Sequence, residues 1–365
     1  MSTSPPAPTG ALRIASVAGV PVYLERTWLL LAALFAYTGF QSGQGRGTEI
    51  AVAFAAWNVL SIFVAVVGHE VGHALTARGL GFRVHQVVAT VWGGHTSYDA
   101  TGATPGRSAL VALSGPLVNV VLSVAGFAVA YSSGGLTSDL AWYFGLLNAL
   151  LAVFNLLPGL PLDGGAAVQS LVWAVSGRRD LGLVVAGWVG RVVAVAVPVL
   201  LIGGPYLLSG RPDLFQTLVG LLMAWVLWSG ATAAIRRANL ERVLDTVRVA
   251  DVAERAVVLD RATPLEVART APGFVVCLDD DSRPTLVLGL VPDGVPPATP
   301  VDALVTRVPD ANVVEAEPEA LVGPVLRAMT VTGVGLVVLT RGGAPWGVAL
   351  ASAVDAASKR VRSRT

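Results

Sequence analysis

Charged residues are scarce in this chain of 365 residues: they make up 13% of it, whereas 54% is hydrophobic and the mean hydropathy is +0.67. Soluble domains carry about 25% charged residues, so this chain has too few to cover a soluble surface. The net charge of +1 lacks the basic excess that is typical of nucleic-acid-binding proteins. A single cysteine, Cys277, excludes an internal disulfide. These absences favour a membrane protein that does not bind nucleic acid.

A bilayer explains the missing charge, because a membrane-spanning helix needs about 20 apolar residues, with a range of roughly 17–25. The sequence predicts about six spans, of which the first is short and the fifth is interrupted by Arg191. The fifth span is expected to start at Leu181 or near Gly190, and the later start would let Arg191 snorkel to the interface. The predicted spans are 27–40, 50–77, 108–131, 140–157, a run ending near 208, and 215–234.

Lysine is nearly absent, since Lys359 is the only one, so arginines decide the predicted orientation. Six spans put both termini on one side, and the loops of the opposite side hold only Arg46 and Arg211. The positive-inside rule then predicts cytoplasmic termini. The first residues, MSTSPPAPTG, lack the basic and apolar regions of a cleaved signal peptide, so none is expected. The arginines assigned to the terminal side are Arg13, Arg26, Arg78, Arg83, Arg107, Arg178, Arg179, Arg236, Arg237 and Arg242.

Histidine is also rare, with four in the chain, yet two of them form the motif GHEVGH in the second predicted span. His69 and His73 are four residues apart, so they share a helix face and both imidazoles can reach one zinc ion. Glu70 can reach a water at that ion without binding the metal. An ionisable group near the bilayer centre costs at least ~2.5–3.5 kcal/mol on insertion scales. Three of them in one apolar helix therefore require a partner, and a metal with water is the simplest.

A third zinc ligand is expected, because catalytic zinc usually has three protein ligands and one open position. Asp163, in FNLLPGLPLDGG, follows the fourth predicted span, which runs inward like the second and ends at the same side of the membrane. Two prolines before it stop the helix, and Gly164–Gly165 are expected to allow a turn toward the zinc. For the alternatives, His85 and His95, ordinary loop roles are favoured. Asp163 is therefore the predicted third ligand.

Residues 249–358 are predicted to form a soluble α/β domain of two similar halves, about 249–297 and 300–358. In the first half, the helix-like stretches VADVAERAVVLD and PLEVART lead to apolar strands, and a similar pattern returns in the second half. Asp279–Asp281 and Gly342–Gly343 fall where tight turns between strands are expected. Such repetition indicates one supersecondary unit used twice, each half covering the apolar face of the other.

GHEVGH, SGPLVN and NLLPGLPLDGG together resemble the site-2 protease family of intramembrane zinc metalloproteases. The resemblance is to the bacterial and archaeal branch with a C-terminal tandem pair of cystathionine-β-synthase (CBS) domains, and it covers nearly the whole chain. ASVAGVPVYLERTWLLL resembles the short hairpin that enters that branch's first span, and VVATVWGGHTSY resembles its membrane-edge strands. The resemblance implies an α-helical polytopic membrane protein: a cytoplasmic segment with a hairpin at 1–26, a six-span metalloprotease domain at 27–240, and a tandem CBS-like domain.

The resemblance implies cleavage of transmembrane substrates within the bilayer, near its cytoplasmic face. One Zn²⁺ per chain would be held by His69, His73 and Asp163, and Glu70 would be the general base. Zinc lowers the pKa of its water toward ~7 and polarises the scissile carbonyl, while the base accepts a proton and later delivers it to the leaving amine. Asn155 matches an asparagine that supports the substrate or the transition state.

Asn119 matches a structural position of the family's GPxxN motif, and a plain helix-packing role is the alternative. Expected partners are the lipid bilayer and a single-span or membrane-anchored protein substrate, such as an anti-sigma factor or a transcription-factor precursor. Nucleotide-binding CBS copies carry Thr or Ser and, three residues later, Asp, whereas Leu350 and Ala353 stand there in this chain and Pro292 breaks the first half. These departures weaken a role in nucleotide binding and favour packing, homodimerisation or substrate docking.

Two other classes of function fit parts of the pattern. A transporter or channel would use intramembrane polar residues to line an ion path, but its paired broken helices are not found between the two halves of the six spans. A catalytically inactive relative would only bind membrane clients, which the intact set of His69, Glu70, His73 and Asp163 argues against. Zinc analysis together with a cleavage assay separates the three classes.

Overall fold

The structure, a computed structural model, describes residues 10–209 and 214–363. Most of the segment that bears on a signal peptide, residues 1–9, and Arg211 of the orientation argument lie outside the described residues. The chain divides into two compact units, Met1–Ala238 and Asn239–Thr365.

Long apolar helices dominate the described part of the first unit. Local signals set their ends: at the start of α3, for example, the Thr104 hydroxyl accepts a hydrogen bond from the Arg107 N–H and a proline follows at the first helical position. The helices are α1 (Trp28–Gly43), α2 (Thr48–Gly79), α3 (Pro105–Ser132), α4 (Gly135–Asn155), α5 (Asp163–Ser176), α6 (Arg179–Ser209) and α7 (Leu214–Thr246), of which α7 continues past Ala238 into the second unit.

Among the described residues, five helices are long and apolar enough to cross a membrane: α2, α3, α4, α7 and the Arg179–Gly204 part of α6. The first predicted span corresponds to α1, which has 16 residues and is as short as the sequence indicates. The helix of the fifth predicted span, α6, begins at Arg179 and continues unbroken through Arg191. Both predicted starts, Leu181 and Gly190, lie inside this helix, so the level at which it enters the membrane stays a prediction. The sequence did not predict α5 as a helix of its own, because two prolines and two glycines surround its start.

A four-stranded sheet accompanies these helices, in the order β1 (Ala11–Val17), β2 (Val20–Glu25), β3 (Arg83–Thr90) and β4 (Gly93–Asp99). β1 and β2 form an antiparallel hairpin, β2 and β3 are parallel, and β3 and β4 are antiparallel. The predicted hairpin and the predicted second pair of strands are therefore both confirmed. Val20, Val22 and Val87 of the sheet form one buried cluster with Ala74 of α2, so the sheet packs on the helix that carries GHEVGH.

The second unit contains a seven-stranded sheet in the order β8-β7-β6-β5-β11-β10-β9. Its elements are β5 (Ala253–Val258), α8 (Leu265–Ala268), β6 (Phe274–Cys277), β7 (Leu286–Leu288), β8 (Val305–Arg307), β9 (Val313–Glu315), α9 (Gly323–Thr332), β10 (Leu336–Arg341), β11 (Ala344–Leu350) and α10 (Ala351–Ser363). Both predicted turns are present, between β6 and β7 and between β10 and β11. Gly342 and Gly343 have φ values of 57° and 81°, which two-residue hairpin turns demand and glycine tolerates.

The second unit contains two sets of three strands with the same pairing pattern, a parallel pair followed by an antiparallel pair. β5 is parallel to β6, which is antiparallel to β7; β9 is parallel to β10, which is antiparallel to β11. In addition, β5 pairs antiparallel with β11, and β8 pairs antiparallel with β7. The helix-like interpretation of residues 249–260 is wrong, because the chain forms a short 3₁₀ turn and then β5. The β-branched Val257 and Val258 pair with strand β6 there.

Candidate metal centre

His69 and His73 lie on one face of α2, as their spacing predicts. Their rings are 4.7 Å apart between centroids and meet edge to face at 85°. Their Nε2 atoms are 3.1 Å apart, and both residues are only 8% exposed. Two buried imidazoles therefore direct one nitrogen each at a common point.

Asp163 reaches the same point from the start of α5. Its Oδ2 is 2.9 Å from Nε2 of His69, and its Oδ1 is 3.4 Å from Nε2 of His73. The ligand atoms of this trio all lie within 4.8 Å of one another. A tetrahedral ion with bonds of ~2.0–2.1 Å holds its ligand atoms roughly 3.3 Å apart. Two imidazole nitrogens and a carboxylate at these separations fit one zinc ion with an open fourth position.

The two glycines after Asp163 have a different role from the predicted turn, because both lie in the first turn of α5. A Cβ on Gly164 would be 2.3 Å from the Leu156 carbonyl oxygen, and one on Gly165 would be 2.1 Å from the Leu160 nitrogen. Real Cβ atoms essentially never approach so closely. The glycines thus allow the preceding loop to fold back over the helix start, which places Asp163 beside the histidines.

The same loop is also packed tightly on α6. A Cβ on Gly190 would be 2.1 Å from the Leu160 carbonyl oxygen, and one on Gly159 would be 2.5 Å from Cα of Gly190. The loop that ends in Asp163 therefore touches α6 backbone to backbone.

Asn119 of α3 fixes which nitrogen of His69 faces the site. Its Oδ1 is 2.6 Å from Nδ1 of His69, while its Nδ2 donates to the Ala65 carbonyl at 3.1 Å and to Oδ1 of Asn148 at 2.9 Å. With its amide nitrogen donating twice, the oxygen is the atom left to accept from the imidazole. We therefore assign the proton of His69 to Nδ1, which leaves the lone pair of Nε2 for a metal.

His73 is oriented in the same way by the backbone of α3. Its Nδ1 lies 2.7 Å from the Val111 carbonyl oxygen, which can only accept, so Nδ1 carries the proton. In the structure both histidines therefore present Nε2 to the common point.

Glu70 lies beside the trio and is 6% exposed. The Thr96 hydroxyl of β4 lies 2.8 Å from Oε2 of Glu70 and 3.0 Å from the Glu70 carbonyl oxygen, so β4 holds both the side chain and the backbone of this residue. A Cβ on the neighbouring Gly94 would be 2.4 Å from Cγ of Glu70. The strand therefore fits closely over the carboxylate.

Gly115 of α3 keeps the site open on the opposite side. A Cβ there would be 2.4 Å from Nε2 of His73 and 2.6 Å from Nε2 of His69. Any side chain at this position would fill the point at which the imidazoles converge, so the absence of one matches the space that an ion requires.

A cavity of about 350 Å³ opens next to the trio. Glu70, His73 and Asp163 line it together with His95 of β4, and Arg179 and Arg237 also contribute to its wall. His95 thus has a place in a strand beside the site rather than the predicted loop role, although it is not part of the metal trio. His85 lies on β3. The cavity gives a water or a peptide room next to the carboxylate.

Asn155, the predicted substrate-supporting residue, is the last residue of α4 and is partly buried. It is not among the residues that line this cavity, so its role stays a prediction. Sequence reasoning missed the contacts of Thr96 and Gly115, and treated Asn119 as structural. A signal existed for Asn119, since a fully buried asparagine in an apolar helix needs hydrogen-bond partners.

A family model with the description peptidase family M50 matches residues 57–141 and 133–197 of this chain. The matched residues contain His69, Glu70, His73 and Asp163. Residues 57–197 of this chain are therefore similar to peptidase family M50.

Similar proteins carry related descriptions. A protein of Synechocystis sp., described as a candidate zinc metalloprotease, is 29% identical over 250 residues, which cover 66% of this chain and 64% of that protein. One of Mycobacterium tuberculosis with the same description is 28% identical over 285 residues, covering 73% of this chain and 66% of that protein. The chain thus spans 64–66% of the length of these relatives.

A solved structure described as a site-2 protease from Methanocaldococcus jannaschii also matches, with a TM-score of 0.45 and 24% identity over 62% of this chain and 95% of that one. The similarity to this family and the five apolar helices among the described residues together support a multi-pass membrane protein.

Proposed function

We propose that this protein is a member of peptidase family M50 and a zinc-dependent intramembrane endopeptidase of the site-2 protease type, which cuts transmembrane substrates near the cytoplasmic face of the membrane. One observation carries the proposal: two imidazoles and a buried carboxylate, Glu70, lie on a helix apolar enough to span a bilayer, and the Asp163 carboxylate of α5 converges with the two imidazoles within 4.8 Å. Such a donor set is typical of catalytic zinc with an open position.

Bound zinc would supply a Lewis acid and a water whose pKa is lowered toward ~7. His69, His73 and Asp163 would hold it, each histidine through Nε2. Glu70 holds and moves the proton at its carboxylate, which faces the cavity and is positioned by Thr96. Proton transfer by a positioned base contributes ~10²–10⁴-fold to the rate. Asn155 supports the substrate from the end of α4 in this proposal.

We also propose that both termini lie in the cytoplasm and that the short helix α1 is a sixth span besides the five long apolar helices. Arginine placement supports it. The cavity wall includes Arg179 and Arg237, which the same rule assigns to the cytoplasmic side. Water and the cut ends of a substrate therefore have a route to the site from that side. The substrate is proposed to be a single-span or membrane-anchored protein, such as an anti-sigma factor or a transcription-factor precursor.

For the C-terminal unit we propose a tandem CBS-like pair that packs against itself and supports homodimerisation or substrate docking. The matched strand pairings, with β5 joined to β11 and β8 joined to β7, support two halves that exchange their leading strands. Leu350 and Ala353, where nucleotide-binding copies carry a hydroxyl and a carboxylate, weigh against a nucleotide role.

The experiment compares the purified wild type with Glu70→Gln and His73→Ala, measuring zinc content and cleavage of a single-span substrate in nanodiscs. Glu70→Gln is expected to keep about one zinc per chain and to lose ~10²–10⁴-fold in cleavage rate, whereas His73→Ala loses zinc and cleavage together. Glu49→Gln is the matched control, because Glu49 is an exposed glutamate in the first turn of the same helix.

Each alternative class has its own outcome. Ion flux through a zinc-free protein, with no cleavage, would identify a transporter. Zinc binding with no cleavage by the wild type of any single-span substrate tested would identify an inactive client-binding relative. Near-normal cleavage by Glu70→Gln would show that another group is the base.

A further inference from the structure

Arg191 is a charged residue inside the membrane-spanning part of α6. The helix runs unbroken from Arg179 to Ser209, and its apolar window is long enough to cross a bilayer. A charged side chain in such a helix is costly unless it is paired or reaches a polar region, and it marks a functional site by default. The metal centre does not use Arg191, so the charge needs another explanation.

The protein provides this guanidinium with aromatic faces and one acceptor. Its Cζ lies 4.5 Å from the ring centroid of Trp188 and 5.1 Å from that of Trp228, and Nη2 donates to the Thr232 hydroxyl at 3.3 Å. Nε is buried without a partner. Among residues 10–209 and 214–363, no carboxylate pairs with Arg191. The positive charge is therefore held in place but not neutralised.

The surroundings of Arg191 face outward, toward the lipid side of the helix pair. Trp188 and Trp228 are 55% and 48% exposed. On α7, Trp228, Thr232 and Arg236 follow one another at intervals of four residues and so share one helix face. Arg236 is exposed and lies about 6 Å along the helix from Thr232, at 1.5 Å per residue.

Three features indicate what binds here: the positive charge of Arg191, its depth in the membrane, and the tryptophans on either side of it. Arg236 and its neighbour Arg237 mark the end of the apolar part of α7, so Arg191 and Thr232 lie roughly one turn inside that level. Tryptophans prefer the headgroup level of a membrane, and arginine binds phosphate through a planar fork of N–H donors. A zwitterionic lipid brings its own cation to such a site, whereas an anionic lipid does not.

We propose that Arg191, Thr232 and Arg236 form a binding site for the phosphate of an anionic phospholipid, on the outer face of α6 and α7 and flanked by Trp188 and Trp228. The guanidinium donates to the phosphate oxygens from its terminal nitrogens, since Nε is buried, and the acyl chains lie along the apolar faces of the two helices. The proposal stands independently of proteolysis, because none of these residues lies in the metal centre.

The test measures lipid binding to the full chain in nanodiscs or in native mass spectrometry from detergent. The wild type is compared with Arg191→Gln and with Arg107→Gln, which removes one exposed arginine from the start of α3 and serves as the charge-matched control. Phosphatidylglycerol is expected to bind the wild type and Arg107→Gln alike, and Arg191→Gln ~10-fold or more weakly, in line with the strength of charge-assisted bonds. Phosphatidylcholine is expected to distinguish none of the three.

Two further arms make the outcome decisive. Thr232→Val removes the hydroxyl, and Arg191→Lys replaces the planar fork of N–H donors by a single ammonium. Both variants are expected to fold and to bind phosphatidylglycerol less tightly than the wild type. They replace Arg191→Gln in the test if that variant does not fold. Inorganic phosphate, added to protein in phosphatidylcholine, tests the source of the anion. Equal phosphatidylglycerol binding by the wild type and the Arg191 variants would overturn the site, and saturation by inorganic phosphate alone would overturn its assignment to a lipid.

Discussion

Oδ1 of Asn119 lies 2.6 Å from Nδ1 of His69, so a residue of α3 sets the tautomer of a proposed metal ligand on α2. Asn119 is itself held by Asn148 of α4 through a bond of 2.9 Å. Both asparagines are completely buried. In the proposed zinc site, the affinity of His69 on α2 for the metal would therefore depend on hydrogen bonds to Asn119 of α3 and, through it, to Asn148 of α4.

Asn119→Ala is expected to lower zinc affinity by ~10–100-fold, as losses of such outer hydrogen bonds do, because His69 loses the acceptor that keeps Nε2 unprotonated and directed at the metal. Competition against a chromogenic chelator measures the change. Asn58→Ala is the control: Asn58 is equally buried in α2 but has no hydrogen-bond partner among the described residues. Equal affinities of the two variants would contradict the role assigned to Asn119.

Gly115→Ala is expected to block the metal site without unfolding the protein. The new methyl group would sit 2.4 Å from Nε2 of His73, and a misplacement of ~1 Å at a reacting centre costs on the order of 10²-fold in activity. Zinc content and cleavage rate are the measurements. Gly68→Ala is the matched variant, since a Cβ there meets its nearest neighbour at an ordinary 3.5 Å. If Gly115→Ala binds zinc as well as Gly68→Ala does, the site lies elsewhere.

Thr96→Val is expected to reduce cleavage while leaving zinc in place, because it removes the hydroxyl that positions the Glu70 carboxylate but no metal ligand. A hydrogen bond to a charged group contributes roughly 1.5–3 kcal/mol, which corresponds to about a 10–100-fold loss in kcat. Thr96→Ser keeps the hydroxyl and should restore most of the rate. A general packing role would instead be revealed by equal losses in both variants, or by a loss confined to KM.

Asp279 gives the second unit a predicted pH dependence. The backbone N–H of Arg283 and the hydroxyl of Thr285 hold the pKa of this carboxyl below its usual range. A lowered folded-state pKa contributes stability that is present above the unfolded value of ~3.9 and is lost as the pH falls through the folded value. Asp279→Asn should therefore be less stable than the wild type at pH 7, and the difference should shrink below about pH 4.

Thermal unfolding of the full chain between pH 3 and pH 7 measures this difference. Asp281→Asn, a change at an exposed neighbour in the same turn, should follow the wild type throughout. A constant gap between Asp279→Asn and the wild type across that range would show that ionisation of this carboxyl plays no part.

The sequence predicts that His69, His73 and Asp163 converge, because the signals for this convergence are local. Two histidines four residues apart on a helix, and an aspartate after the next inward span, need only helix periodicity and span counting. The helices α2, α3 and α4 were predicted for the same reason, since long apolar runs permit few other structures. The local pattern does not determine which nitrogen of His69 faces the site, because this depends on Asn119, which is 50 residues away in sequence.

Other features depend on tertiary contacts that no local pattern encodes. VADVAERAVVLD has the composition of a helix, yet it becomes β5 because strands β6 and β11 lie on either side of it. The glycines after Asp163 resemble a turn, yet they are helical and serve a close approach of the backbone. Thr96 carries no motif at all. Its contact with Glu70 exists only because β4 packs on α2.

The close packing of Gly190 on Leu160 has a mechanical consequence. The backbones touch here without an intervening side chain, because a Cβ on Gly190 would be 2.1 Å from the Leu160 carbonyl oxygen. A sideways displacement of α6 therefore moves the peptide of Leu160 directly. Asp163 follows three residues later, and α5 begins there without an intervening flexible segment. Gly190 contacts the loop that leads to Asp163, whereas its neighbour Arg191 lies on the outward face of α6 and α7 between Trp188 and Trp228. A displacement of α6 within the bilayer is therefore expected to shift Leu160 and, with it, the Asp163 carboxylate that completes the trio.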